Sequence, residues 1–240
     1  MFRSSLLFIL ASLPGLPAVS AAVLYTNAGP IVANETGFGS NLPGLSLSRS
    51  STATDTLYFK YTLTNPSSNS TNENYYAALQ LFEGGAERLG IGNAWGAYAY
   101  SAFNAAGGAT PDLNSANPEA GQSYQLVRAA DVTTIVFKVD YVNGGNDNVT
   151  VWLNPNLSLT EAAQSPTLRT TFTADATFTE IHLREGGGTA GSVAGSWPFS
   201  NIAIATSGTD LGFFAPVPEP GTAALVGLFG PAFALRRRRR

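Results

Sequence analysis

The sequence predicts an all-β fold, an antiparallel sandwich of about ten strands in one domain. Between residues 22 and 216, apolar and polar residues alternate with a period of two in many short stretches, whereas helical periodicity is nearly absent. Glycine-rich and Asn/Asp-rich breaks separate these stretches, without the helices that βαβ units require. Of the 240 residues, 44% are hydrophobic and 12% are charged, which excludes a wholly disordered chain and a coiled coil.

The strands follow from the alternating stretches in chain order. Residues 56–64 and 134–141 alternate throughout, so each can bury one face and turn the other to solvent or to a second layer. Residues 143–148, Asn-Gly-Gly-Asn-Asp-Asn, separate the second of these stretches from residues 149–153 and predict a hairpin there. The other predicted strands are residues 75–82, 89–95, 97–101, 124–128, 181–184 and 202–204.

The first 21 residues predict a secretory signal peptide, which signal peptidase would remove. Arg3 supplies the positive start, residues 6–11 form a short apolar core, and small residues precede a cleavage position after Ala21. An uncleaved membrane anchor needs roughly 20 apolar residues, and this run is shorter. The sequence therefore predicts an exported protein whose body is residues 22–216.

Residues 217–240 form a tail with three parts. The first part is the motif Val217, Pro218, Glu219 and Pro220. Its prolines disfavour helix and keep the segment extended and open to a protease. The fourteen uncharged residues 222–235 would form a helix of about 21 Å, short for a hydrocarbon core of about 30 Å. The arginines at 236–240 resist translocation and would stay cytoplasmic while the body lies outside.

This tail resembles the PEP-CTERM sorting domain of Gram-negative bacteria in the order of its parts and in its C-terminal position. The resemblance implies that an exosortase, a membrane transpeptidase-like protease, cuts near the Pro-Glu-Pro motif while the helix transiently anchors the chain in the inner membrane. It also implies a protein of the cell envelope or the extracellular matrix, associated with exopolysaccharide or biofilm. The apolar run is shorter than is usual in this family, and Pro231 interrupts it.

The charge of the body argues against nucleic acid as a partner. Residues 22–216 hold 7 Lys or Arg and 15 Asp or Glu, a net charge of about −8. The arginines at 236–240 have no interleaved aromatic or basic residues, so they do not form a nucleic-acid patch.

The body resembles exported proteins with a concanavalin A-like, laminin G-like domain. The resemblance spans about residues 55–206 and implies a jelly roll of two curved antiparallel sheets. It is carried by the residues 58–61, 78–82, 89–92, 135–141, 147–155, 178–184 and 199–204.

The sequence predicts no catalytic, metal or cofactor site in this body. Glucanases of the resembled fold place three carboxylates on one strand in a Glu-x-Asp-x-x-Glu pattern, which is absent here. Glu180 and Glu185 would face opposite sides of a strand, and Glu83 and Glu87 are expected to be solvated loop charges. No cysteine is present, and His182, the single histidine, has no nucleophile beside it in sequence. We therefore expect a protein that is not an enzyme.

Aromatic residues offer a candidate glycan-binding site, since sugars stack on exposed rings. Trp95, Tyr98 and Tyr100 lie close in sequence, and Trp152 and Trp197 are further candidates. The alternative is that these rings fill the core of the sandwich or cover the edges of strands.

Three functions follow. The first is an exported, exosortase-processed envelope or matrix protein with a non-catalytic body that is structural or associated with exopolysaccharide. The alternatives are a lectin-like carbohydrate-binding module and a divergent glycoside hydrolase, the latter on fold resemblance alone.

Overall fold

The structure is a computed structural model that describes residues 22–32, 40–42, 44–64, 75–93, 99–103, 125–127, 132–165, 169–187 and 197–214. The predicted signal peptide and residues 217–240, with the whole sorting motif, lie outside the described residues. Within the described ranges, no helix has the length and apolar character needed to cross a membrane.

The described chain is built from β-strands. They are β1 (Val23–Asn27), β2 (Ile31–Val32), β3 (Ser40–Asn41), β4 (Thr56–Thr64), β5 (Tyr75–Glu83), β6 (Ala86–Asn93), β7 (Ala99–Phe103), β8 (Gln125–Val127), β9 (Val132–Asp140), β10 (Asp147–Leu153), β11 (Arg169–Ala174), β12 (Glu180–Gly187) and β13 (Pro198–Ala205). Two short 3-10 turns, Glu161–Ala163 and Thr209–Leu211, accompany them.

The strands form two antiparallel sheets. The first sheet has the order β1-β13-β4-β9-β10-β11, with β2 beside β13, and the second sheet has the order β3-β12-β5-β6-β7-β8. Strands that are distant in sequence are neighbours in both sheets, because the chain crosses between sheets as in a jelly roll. The predicted all-β antiparallel sandwich is confirmed.

The core lies between the two sheets. Alternation along β4 and β9 turns Phe59 and Phe137 inward, where their rings stack with centroids 4.4 Å apart. Phe178, on the way into β12, packs its edge against Phe59. The Tyr61 hydroxyl donates to the carbonyl oxygen of Ile91 at 2.6 Å and so joins the first sheet to the second. Apolar packing and this buried hydrogen bond fix the relation between the sheets.

A second apolar cluster covers the outer face of the first sheet. Residues 206–214, here called the C-terminal segment, turn back over this face after β13. The ring of Phe214 lies 5.0 Å from that of Trp152, and a Cβ on Gly208 would come within 2.3 Å of Phe214. The buried members are Tyr58, Val136, Trp152, Ala203, Ala205, Leu211, Phe213 and Phe214. Both faces of the central strands are therefore buried, and of the two alternatives that alternation left open, solvent or a second layer, the second applies here.

Candidate functional site

The outer face of the second sheet carries a cluster around the single histidine. His182 on β12 is paired with Gln80 on β5, and Glu180 is paired with Phe82. Because strand residues alternate between faces, these four side chains point away from the core into which Leu183 points. We call these four residues, together with Glu87, the histidine cluster.

The histidine cluster is closely packed. His182 Nε2 lies 2.8 Å from Glu180 Oε2, and the imidazole stacks on the Phe82 ring at 4.4 Å between centroids. Gln80 Nε2 donates to Glu87 Oε1 at 2.7 Å. His182 is 7% exposed and Gln80 is fully buried, so both side chains are covered although they lie on the outer face of the sheet. Glu87, expected to be a solvated loop charge, instead fixes a buried amide.

Two carboxylates meet at the end of the sandwich. Glu83 is the last residue of β5, and Asp175 directly follows β11. Arg88 on β6 forms an ion pair with each, at 2.7 Å to Glu83 and 3.1 Å to Asp175. Thr177 Oγ1 lies 3.0 Å from a Glu83 oxygen and 2.7 Å from an Asp175 oxygen. Neighbouring carboxyl groups are what a retaining glycosidase needs, at about 5–5.5 Å. Here the guanidinium of Arg88 forms an ion pair with each of the two carboxylates. These ion pairs join the β5–β6 hairpin to the β11–β12 connection.

A cleft of about 420 Å³ opens on the outer face of the first sheet. Lys60 on β4 lies within it, with its Nζ 5.2 Å from the centroid of the Phe213 ring. Burial lowers the pKa of Lys60. The cleft, here called the Lys60 cleft, is lined by Lys60, Thr62, Thr134, Asn154, Pro155, Leu157, Asn201, Leu211, Gly212 and Phe213.

Polar side chains of the Lys60 cleft are held by the fold. The hydroxyls of Thr62 and Thr134 are 3.3 Å apart across β4 and β9, and Asn154 Oδ1 accepts the Thr134 N–H at 2.9 Å. Asn154 and Asn201 both adopt positive φ, 44° and 51°, which the surrounding structure must impose.

A charged network on the same face anchors the first 3-10 turn. The Tyr58 hydroxyl donates to Glu161, and Lys138 Nζ lies 3.0 Å from Glu161 and 3.1 Å from Asp140. Burial, with the hydrogen bond to Glu161, raises the pKa of Tyr58 well above its ordinary value. Burial alone would lower the pKa of Lys138, but its bonds to Glu161 and Asp140 outweigh burial and raise it. These contacts tie the first 3-10 turn to β4 and β9.

The aromatic residues named from the sequence do not come together as a described site. Trp95 and Tyr98 lie outside the described residues. Tyr100 is 1% exposed within the core, so its expected role as a glycan-stacking ring is corrected. Trp152 and Trp197 are 2% and 0% exposed. Tyr100 and Trp197 pack in the core between the sheets, whereas Trp152 packs in the outer apolar cluster.

Asp147, in the Asn/Asp-rich hairpin, has a structural role. It is 3% exposed, and its two oxygens accept the backbone N–H groups of Val142 and Ala176, each at 2.9 Å. Burial raises the pKa of this carboxyl. Among the described residues, no group of three or more His, Cys, Asp or Glu side chains could hold a metal ion.

Sequence reasoning missed both the histidine cluster and the Lys60 cleft. Alternation placed His182, Lys60 and Thr62 on outward faces, but no local signal joined them to Glu87, Asn154 or Asn201. Pairing between distant strands brings these residues together.

No family model matches this chain, and no curated protein sequence matches it. Among solved structures, the chain is similar to the catalytic domain of a glycoside hydrolase family 131 protein from Coprinopsis cinerea. The identity is 9% and the TM-score is 0.41. The similarity covers 71% of this chain and 63% of that chain, less than two thirds of its length.

Proposed function

We propose that this chain is an exported protein of the cell envelope or extracellular matrix, processed by an exosortase at residues 217–240, with a non-catalytic β-sandwich body. The observation that carries the proposal is the ordered tail of extended motif, apolar run and five arginines, which follows the body directly. The apolar core and cleavage position at residues 1–21 support the same route.

The packing of the body agrees with removal of the tail. Phe213 and Phe214 are 5% and 7% exposed in the outer apolar cluster, and the sorting motif begins at Val217. A cut near Pro218–Pro220 would therefore remove none of the described buried residues. The processed product would keep the whole described sandwich.

The polar contacts of the described carboxylates support a non-catalytic body. Glycoside hydrolysis needs one carboxyl group to donate a proton and a second to act as nucleophile or base. Each of nine described carboxylates instead has a hydrogen-bond or ion-pair partner within the protein. They are Asp55, Glu83, Glu87, Asp140, Asp147, Glu161, Asp175, Glu180 and Asp210.

The sorting proposal is tested by intact mass of the protein recovered from each fraction of native cells. The wild-type chain should lose both ends, whereas a variant with Pro218, Glu219 and Pro220 replaced by Ala should keep its C-terminus and stay with the inner membrane. Pro231→Ala is the matched control, because it removes a proline from the same tail outside the motif, and it should be cut normally. Recovery of the wild-type chain with residues 217–240 intact would overturn the proposal.

The non-catalytic proposal is tested by release of reducing ends from a panel of neutral and acidic polysaccharides. We expect no release above buffer. Release that disappears in Glu83→Gln or Glu180→Gln, but persists in Asp55→Asn, would show that the body is an enzyme.

A further inference from the structure

We propose that the Lys60 cleft binds a carboxylate-bearing saccharide, such as the uronic acid units of an acidic polysaccharide. In this arrangement the Lys60 ammonium would face the carboxylate, and the Thr and Asn side chains of the lining would face the hydroxyls. The inference deepens the proposed association with extracellular polysaccharide and rests on that proposed function.

Lys60 stands apart from the other described lysine. Lys138 has carboxylate partners in Glu161 and Asp140, and Arg49 and Arg88 also pair with carboxylates. Among the described residues, Lys60 has no carboxylate at ion-pair distance, although the body carries about twice as many acidic as basic residues. The Lys60 ammonium instead lies over the Phe213 ring, and its Nζ is 3.5 Å from the Leu211 carbonyl oxygen. A partly buried ammonium of this kind has the capacity to bind a carboxylate.

The rest of the lining suits a sugar rather than a small inorganic anion. Thr62, Thr134, Asn154 and Asn201 provide hydroxyl and amide groups. Pro155 and Leu157 provide apolar surface, and Leu157 is 53% exposed. The volume of about 420 Å³ lies in the range of about 300–1,000 Å³ that is typical of ligand sites. A saccharide ring combines hydroxyls with apolar faces, and a uronic acid adds the carboxylate.

Part of the lining is held in place by contacts within the protein. The Thr134 N–H donates to Asn154 Oδ1, and the Thr134 hydroxyl lies at hydrogen-bond distance from that of Thr62. Because Thr62 and Thr134 are paired across β4 and β9, the two strands fix the positions of these polar groups. Phe213 and Leu211 come from the C-terminal segment, which is packed against the sheet. A preformed site avoids the entropy cost of ordering side chains on binding.

The test is calorimetric titration of the full chain with tetragalacturonate and with its fully methyl-esterified form. The ester keeps the ring and its hydroxyls but removes the negative charge, so we expect it to bind at least about tenfold more weakly. Lys60→Met keeps the length of the side chain and should weaken binding of the acid by a similar factor, whereas Lys60→Arg should restore it. Arg184→Gln removes one positive charge from the opposite sheet and should leave binding unchanged.

Several results would overturn the inference. They are equal affinity for acid and ester, unchanged binding by Lys60→Met, equal weakening by Arg184→Gln, and no binding of the acid at millimolar concentration. Equal urea midpoints of the variants show that any loss is not unfolding. Thr62→Val provides a second, uncharged perturbation of the same lining and should also weaken binding. Lys60→Met should still be cut and sorted like the wild type, so a failure here is distinct from a failure of the sorting proposal.

Discussion

Asp147 allows a quantitative test of the packing at the β9–β10 hairpin. Its two oxygens accept N–H groups from Val142 and Ala176, so one side chain joins the hairpin to the connection that leads toward the other sheet. Replacement by Ala removes both acceptors. The two donors then differ in their access to water, because Val142 is 40% exposed and Ala176 is fully buried.

This difference sets the expected magnitude. The Val142 N–H lies in a partly buried site and can bind water in the variant, so the variant loses the free energy of an ordinary hydrogen bond there, about 0.5–1.5 kcal/mol. The Ala176 N–H has no such route and should bear the cost of an unpaired buried donor, about 1–3 kcal/mol. Asp147→Ala should therefore lower the free energy of unfolding by about 2–4 kcal/mol. Asp147→Asn keeps one carbonyl acceptor and should lie between this variant and the wild type.

Urea denaturation followed by tryptophan fluorescence and circular dichroism measures the change, with the slope against urea checked for constancy. Asp55→Ala is the control, since its carboxylate is 46% exposed and pairs with Arg49 at the surface; it should cost less than about 1 kcal/mol. If Asp147→Ala and Asp55→Ala shift the urea midpoint equally, the buried backbone donors are not the reason for the stability of this hairpin.

Three further predictions concern the same fold. Phe214→Ala should cost about 3–5 kcal/mol in urea denaturation, whereas Leu157→Ala, at a side chain that is 53% exposed, should cost little. Gly92→Ala should reduce the yield of folded protein or its thermal midpoint severely, because at φ 154° a Cβ would lie 2.1 Å from the Ala77 carbonyl oxygen; a midpoint equal to that of the wild type would contradict this. Burial raises the pKa of Asp147 in the folded state above its ordinary value of 3.8. As the pH falls, the folded state therefore binds the proton before the unfolded state does, and this binding stabilises the fold. The stabilisation is complete below pH 3.8 and is lost as the pH rises through the pKa of the folded state. The free energy of unfolding of the wild type relative to Asp147→Asn should thus increase as the pH is lowered from neutral toward 4, and a constant difference would contradict the shift.

The central strands could be predicted from the sequence because their large apolar residues alternate without interruption. Strand β9 and the hairpin that follows it show this best. Strand β11 was not predicted, since Phe172 is its only large apolar residue and threonines surround it. Strand β1 was also missed, because it is an edge strand whose Val23 remains 49% exposed. Neither strand has a local pattern strong enough to separate it from a loop.

The sites were harder to predict for a different reason. A period of two tells which residues share a face, but it does not tell which face is covered. The Tyr100 side chain points into the core because it lies on the same face of β7 as Ala102, and both are part of the core cluster. Lys60 lies in a cleft rather than on open surface because the C-terminal segment folds back beside it, about 150 residues further along the chain. Only long-range pairing creates such an environment.

The return of residues 206–214 over the first sheet also determines how the molecule would bear mechanical load. Residues 206–214 follow the last strand, so tension applied to the chain at Phe214 would reach this segment before any strand. The segment contacts the sheet mainly through side chains, whereas β13 beyond it is hydrogen-bonded to β1 and β4 on both sides. Pulling would therefore peel the segment first and expose Trp152, while the two sheets stayed closed. Exposure of this indole would then report that the C-terminal segment has left the sheet.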